Sequence, residues 1–329
     1  MSKAPAKSVL DPALTLEILR VTEATAVAAA RLRGTGDEAA TDREAAAAMH
    51  KELARLPIEG TVVVGEGEKS ETPVLYIGET VGGRIGSGSR VDLAVDPVEG
   101  STLCAKALPN ALAVMAIAEP NSLLKVPNLY MDKIAIGPGY AEGLVDLDAT
   151  PRDNLEALAK AKGVPVSEIT ACILDRPRHG KLIEQVRAAG AAIRLIGDGD
   201  IAGVIHTTEP ENTGIDIYMG IGGGPEGVLA AAALSCTGGQ MQGRLVATNQ
   251  EQRAGAKAAG IDDLTKKYAL SDMVAGDVGF AATGITGGSL LEGVRFARGA
   301  IYTHTVLMRA SPRTVRWIRS EHRDASKFD

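Results

Sequence analysis

The chain has 329 residues, enough for one large domain or two of ordinary size. A formal net charge of −6 argues against nucleic acid or an anionic membrane surface as a partner, and no apolar run approaches the roughly 18 residues that a bilayer span needs. With 45% hydrophobic but only 3% aromatic residues, the core must be built from Ala, Val, Ile and Leu, as where helices lie on buried sheets.

The opening MSKAPAKSVLDP lacks the apolar centre of a signal peptide, which predicts a soluble cytoplasmic protein. Asp11-Pro12 predicts a helix start, with an N-cap and a Pro at the first helical position, and Leu14, Ile18, Val21 and Leu32 share one face up to Gly34. A second helix is expected from Thr41, where Thr41-Asp42-Arg43-Glu44 has the form of a capping box and sets Asp42 in the first turn. Strands are predicted over 61–64, 91–95, 111–118 and 131–136, separated by Gly-rich loops. From about residue 150 the rhythm becomes a regular alternation. It predicts helix 151–162, strand 169–174, helix 179–189, strand 191–196, helix 201–207, strand 215–221 and helix 225–236. Strand 278–282, helix 289–296 and strands 300–308 and 314–319 complete the pattern. Such alternation argues for an α/β fold with parallel or mixed sheets covered by helices. The change of rhythm puts a boundary near Gly137-Pro138-Gly139, dividing the chain into 1–137 and 138–329, although the terminal strands have the option of returning to the first sheet. Cys104, Cys172 and Cys236 are odd in number, far apart and set among apolar residues, which predicts buried free thiols.

The segment Asp92-Leu93-Ala94-Val95-Asp96-Pro97-Val98-Glu99-Gly100-Ser101-Thr102 carries the strongest chemical signal. Pro97 holds Asp96 extended, and a helix starting at 100–102 would turn its unpaired N–H groups outward as a phosphate cradle beside two carboxylates. Hard oxygen ligands next to a phosphate suit Mg²⁺ or Mn²⁺. Glu66, flanked by Gly65 and Gly67, follows a strand, and Glu226, in Gly222-Gly223-Gly224-Pro225-Glu226-Gly227, joins a strand to a helix. Each acid also has a plain structural role: Asp42 and Glu226 suit a helix N-terminus, Glu66 a solvated turn, and Asp-Pro with Glu-Gly a polar loop. Five such carboxylates in one chain make a multi-metal phosphoryl-transfer site the more economical reading.

Residues 222–227 also match G-x-G-x-x-G, so a dinucleotide-binding fold competes. Against it, Glu226 stands where a pyrophosphate would lie, and the acid expected about 20 residues later is replaced by Gln242 and Gly243. Arg176 and Arg178, after a predicted strand, suit a second phosphate, Asp198 and Asp200 suit sugar hydroxyls, and Tyr130 offers a hydroxyl or a flat face. Each of these also reads as an ordinary turn or half-buried strand residue. No P-loop, G-x-S-x-G elbow or H-E-x-x-H occurs.

Together these residues resemble the class II fructose-1,6-bisphosphatases of bacteria, within the lithium-sensitive sugar and inositol phosphatase superfamily. The resemblance rests on VGEGE, DPVEGST, NALAV, YMDK, ILDRPRH, DGD, GIGGGPEG and TVRWI, and spans nearly the whole chain. It implies a layered αβαβα sandwich of two mixed sheets and metal ligands at Asp42, Glu66, Asp96, Glu99 and Glu226. It implies substrate contacts at Glu99, Gly100, Ser101, Tyr130, Arg176, Pro177, Arg178, Asp198, Gly199, Asp200 and Gly223, with Ser101 and Glu66 as the catalytic pair. Two or more Mn²⁺ or Mg²⁺ ions per site and a dimer or tetramer of identical chains are also implied. The expected reaction is hydrolysis of the C1 phosphate of fructose 1,6-bisphosphate, as in gluconeogenesis or carbon fixation, with sedoheptulose 1,7-bisphosphate as an alternative substrate. Three positions depart from the family pattern: Ser101 where Thr is usual, Arg43 where Gly is common and Glu38 where Lys is frequent.

Overall fold

The computed structural model describes Leu10 and residues 12–328. Helix α1 (Pro12–Ala30) begins at the predicted proline, while its expected cap, Asp11, lies outside the described residues. Helix α2 (Glu38–Leu53) starts earlier than the capping-box pattern predicts. Asp37 is its N-cap, accepting from the Ala40 amide at 2.9 Å, and the Thr41 hydroxyl instead donates back to the Asp37 carbonyl. Ala39 and Ala40 are strong helix formers, so the earlier cap wins and Asp42 stands one turn inside the helix.

There follow β1 (Ile58–Val64), β2 (Thr80–Val81), β3 (Ser89–Glu99), α3 (Ser101–Ala105), β4 (Leu112–Ala118) and β5 (Tyr130–Ile136). The alternating part holds α4 (Pro151–Lys162), β6 (Thr170–Leu174), α5 (Gly180–Ala189), β7 (Ala192–Ile196), α6 (Asp200–Ile205), α7 (Pro210–Thr213), β8 (Ile217–Gly223) and α8 (Gly224–Thr237). Beyond it lie β9 (Gln240–Val246), α9 (Gln250–Ala258), β10 (Tyr268–Ala269), α10 (Leu270–Met273), β11 (Val278–Gly284), β12 (Arg295–Ala297), β13 (Ala300–Arg309) and β14 (Thr314–His322). The helix predicted over 289–296 is absent. That stretch is a loop folded back on itself, with the Gly288 amide bonded to Leu291 O and the Ser289 amide to Asn110 Oδ1, and it leads into β12. Gly287, Gly288 and Gly293 leave too few intervening residues for a stable helix.

Two mixed sheets result. The first runs β12-β13-β11-β4-β3-β1-β2, with β14 also paired to β13; the second runs β10-β9-β5-β8-β6-β7. Only β1 with β3, and β6 with β7 and β8, are parallel. Strand β5, from before Gly137, belongs to the second sheet, and β11 to β14 return to the first, so both sheets draw strands from both sides of that glycine.

The layers follow from which face each residue buries. Along β4 every residue is buried, but Leu112, Val114, Ala116 and Ala118 enter a core shared with α8, whereas Met115 and Ile117 join α1 and α2. Strands buried on both faces read as unbroken apolar runs, as LAVMAIA does. Ile134 and Ile136 of β5 face a third core with α4 and α5. The order is therefore α1 and α2, sheet one, α6 and α8, sheet two, α4 and α5. All three cysteines are buried and free. Among the described residues no helix is long and apolar enough to cross a membrane.

Helix α8 sets the spacing between the sheets. Ala230, Ala231, Ala232 and Ala233 are all at most 1% exposed, so their small side chains let sheets pack on both sides of one helix. Ala232→Leu is expected to lower unfolding free energy by about 1–3 kcal/mol, read as a lower urea midpoint at unchanged slope.

Candidate active site

The carboxyl ends of β1 and β3, the body of α2 and the starts of α3, α6 and α8 surround a cavity of about 400 Å³. Asp42, Glu66, Asp96, Glu99 and Glu226 all line it, with Gly100, Ser101, Asp198, Gly199 and Asp200. A second cavity of about 380 Å³ is lined by Tyr130, Arg176, Arg178 and Gly223. The two adjoin, sharing Asn128, Asp198, Asp200 and Glu226. One end of the combined space is acidic and the other is basic. Pro177 lines neither cavity; it opens the short 3₁₀ turn Pro177–His179 that carries Arg178.

Pro97 does not end its strand: β3 continues to Glu99, and the pairing with β4 shifts register between Asp96 and Glu99. Such an irregularity accommodates a residue that cannot donate to the ladder. Asp96 Oδ1 accepts the Val98 amide at 3.1 Å, an Asx turn that fixes the carboxyl. Glu99 Oε1 accepts the Ile201 amide at 2.6 Å, bridging from sheet one to the first turn of α6. Its Oε2 is buried without a hydrogen-bond partner, and so is Oε2 of Glu226. The Ser101 hydroxyl donates to Asp42 Oδ1. Ser101, Thr102 and Leu103 form the first turn of α3, so their N–H groups have no carbonyl a turn earlier.

Burial, reinforced by crowding among the acids, sets the electrostatics. Burial, followed by the nearby charges of Asp42 and Glu226, pushes Glu66 up to about 7. Burial and then Glu226 raise Asp96 well above the carboxylate range, and burial and then Asp200 do the same to Glu99. Asp42 is raised by burial, opposed by the Ser101 hydrogen bond and reinforced by Glu38 four residues earlier on the same helix face. Glu226 is also raised, by burial and by Asp200, with Lys133 acting in the opposite sense. Of the departures noted in the sequence, Glu38 thus bears on the acid cluster, whereas the largely exposed Arg43 faces Glu44.

These donors fit a divalent cation. They are hard oxygens, two of them are buried without partners, and their mutual repulsion is what a positive ion would relieve. Among the described residues no three acidic, His or Cys groups already converge on one point.

At the basic end, Arg178 donates through Nε and Nη2 to Ile221 O at 3.0 and 2.7 Å and stacks on the Tyr130 ring at 4.9 Å. Its remaining amino group is left for a ligand. Arg176 lies 3.7 Å from Asp198 Oδ1. The glycines of 222–227 have a local reason. A Cβ on Gly222 would collide with Asp200 Oδ2, and one on Gly223 with the Glu226 carboxylate. They make room for the protein's own acids rather than for a pyrophosphate. Sequence reasoning missed Asn128, Gln252, which lines the second cavity, and Lys133, a fully buried lysine bonded to Asp200. The signal for Lys133 is a lysine on the same strand face as Met131 and Ala135 in the pattern Tyr130-Met131-Asp132-Lys133-Ile134-Ala135-Ile136.

A family model described as bacterial fructose-1,6-bisphosphatase, glpX-encoded, matches residues 12–322. A relative from Synechococcus sp. (strain JA-3-3Ab), named D-fructose 1,6-bisphosphatase class 2/sedoheptulose 1,7-bisphosphatase, is 41% identical over 336 residues, covering 95% of this chain and 96% of that one. Another, fructose-1,6-bisphosphatase 1 class 2 of Escherichia coli (strain K12), is 43% identical over 323 residues, covering 94% and 95%. A solved structure of extragenic suppressor protein suhB from Bartonella henselae aligns over 59% of this chain and 73% of that one, with a TM-score of 0.33 and 15% identity, too slight a likeness to bear on the site.

A group whose folded pKa is raised binds its proton more tightly in the folded state, so its contribution to stability is full below its unfolded pKa and is lost as pH rises through the folded one. For Glu66 that window runs from 4.5 to about 7. In metal-stripped protein, Glu66→Gln is expected to match the parent Tm near pH 5 and to exceed it near pH 8, with added Mn²⁺ reversing the order at the higher pH; thermal denaturation across that range measures it.

Proposed function

The chain belongs to the glpX-encoded family of bacterial fructose-1,6-bisphosphatases, and from that premise we propose that this site hydrolyses the C1 phosphate of fructose 1,6-bisphosphate, giving fructose 6-phosphate and inorganic phosphate. The observation that carries the reading is the pair of adjoining cavities, one acidic and one basic, joined by Asp198 and Asp200. A sugar bisphosphate has a phosphate for each end and hydroxyls for the acids between.

In this reading Asp42, Glu66, Asp96, Glu99 and Glu226 hold two or more Mn²⁺ or Mg²⁺ ions. When bound, such ions supply positive charge against the phosphate oxygens and lower the pKa of water they hold. The chain's own residues do the rest. The first-turn amides of α3 donate to the oxygens of the reacting phosphate, where negative charge builds up as it is transferred. Ser101, tethered to Asp42, orients either that phosphate or the attacking water. Glu66, which lines the same cavity as Ser101, accepts the proton of that water. Arg176 and the free amino group of Arg178 grip the distal phosphate, the Tyr130 ring steadies Arg178, and Asp198 and Asp200 accept from the sugar hydroxyls. Gly199 and Gly223 let backbone approach the sugar, and Pro177 stiffens the turn that bears Arg178. The same reading makes the protein a cytoplasmic homo-oligomer whose small-molecule partner is the sugar bisphosphate.

The test is phosphate release by metal-stripped protein given Mn²⁺, Mg²⁺ or EDTA, with sedoheptulose 1,7-bisphosphate, part of the Synechococcus relative's name, run beside fructose 1,6-bisphosphate. Metal-dependent release from the fructose ester is expected; none with either metal would sink the reading. Glu226→Gln should lose turnover at ordinary metal concentrations, and full activity would remove Glu226 from the ligand set. Ser101→Ala should lower kcat by about 10²-fold with Tm nearly unchanged, measured by steady-state kinetics and thermal denaturation.

A further inference from the structure

Lys133 lies in the middle of the second sheet with its side chain 1% exposed, an expensive place for an ammonium group. It projects between the sheets, on the side of β5 that Met131 and Ala135 share, into the layer of α8. Its ammonium is ion-paired with Asp200 Oδ2 and donates to Gly223 O at 2.8 Å. Asp200 in turn lies close enough to Glu99 and Glu226 to raise both. Besides the five carboxylates assigned to cations, Asp198 and Asp200 line the same cavity; Asp198 faces the half-exposed Arg176, whereas Asp200 is matched by a buried positive charge.

We propose that Lys133 is a positioning residue that gives the carboxylates separate roles, because it neutralises Asp200 and turns it toward the sugar, keeping it out of the cation-binding set. The inference rests on the bisphosphatase reading and deepens it. Two features support the division. The ion pair is anchored at a second point by the Gly223 carbonyl, so the ammonium cannot swing toward Glu226 or Glu99 without giving up a bond. And Gly222 leaves open the space that Asp200 Oδ2 occupies, so the local chain accommodates this rotamer of Asp200 rather than one aimed at the acids.

Losing Lys133 should then act in opposite directions on cation and sugar. Asp200, buried and unmatched, becomes an additional oxygen ligand and adds a negative charge beside the ions, while its hold on the sugar is lost. Calorimetric titration of metal-stripped, full-length Lys133→Met with Mn²⁺ alone is expected to give binding about five- to tenfold tighter than the parent. In steady-state assays KM for fructose 1,6-bisphosphate should rise about tenfold. The double variant Lys133→Met/Asp200→Asn, which replaces a buried ion pair by neutral groups of similar size, should bring Mn²⁺ affinity back to near the parent value while KM stays high. A merely structural role would loosen the β8–α8 turn and weaken Mn²⁺ binding in both variants, so weaker or unchanged affinity in Lys133→Met overturns the proposal. So does tightening that persists in the double variant. If the parent hydrolyses the ester with Mn²⁺ and the variants fail these expectations, the division of labour falls and the bisphosphatase reading stands; if the parent neither binds Mn²⁺ nor releases phosphate, both fall.

Discussion

Like charges held together away from water repel strongly, and this fold gathers seven carboxylates, Asp42, Glu66, Asp96, Glu99, Asp198, Asp200 and Glu226, around one space. Five of the seven have a device that holds them in position. Asp96 is bonded to the Val98 amide, Glu99 to the Ile201 amide, Asp42 to the Ser101 hydroxyl and Asp200 to Lys133. Glu226 stands in the first turn of α8, where the helix dipole favours negative charge. What these devices leave uncompensated is a raised proton affinity at Glu66, Asp96 and Glu99, the same imbalance that a divalent cation corrects. The raised proton affinity and the fit to a cation are therefore two sides of one arrangement.

Structural and chemical roles coexist on single side chains. Glu99 caps one helix through one oxygen and leaves the other facing the site without a partner. Asp96 makes the local turn that Asp-Pro suggests and still lines the acidic cavity. A substitution at either position removes both a tie in the fold and a candidate ligand, so Glu to Gln and Asp to Asn, which keep an accepting oxygen, separate the two better than Ala.

Much of this is legible in the sequence because the signals are local. The βα alternation after residue 150 places most elements to within a few residues, with helix Pro151–Lys162 falling where expected, since Thr150, Pro151 and Gly163 punctuate it. Strand β9 escapes the sequence reading although Gln240-Met241-Gln242-Gly243-Arg244-Leu245-Val246 alternates with period two, because a glycine at its central buried position weakens the pattern. The false helix at 289–296 comes from apolar spacing that serves two separate cores, Leu291 in one and Val294 in another. At the site, acids beside glycines stand out as residue types. Lys133 does not, because its meaning lies in a partner 67 residues away. The cap at Asp37 is missed for a different reason: the Thr41 capping-box pattern draws the helix start, although the helix formers Ala39 and Ala40 extend it back to Asp37.

The acids come from α2, the carboxyl ends of β1 and β3 and the start of α8, so the candidate site is divided among segments from residue 42 to residue 226. No contiguous stretch holds more than a fragment of it. Glu226 reaches the others only once α8 has seated between two sheets that themselves exchange strands across the chain. A chain halted during synthesis or cut short before α8 thus carries most of these acids in sequence yet has no assembled cluster, and the cavity is complete only once the two sheets close on their shared helix.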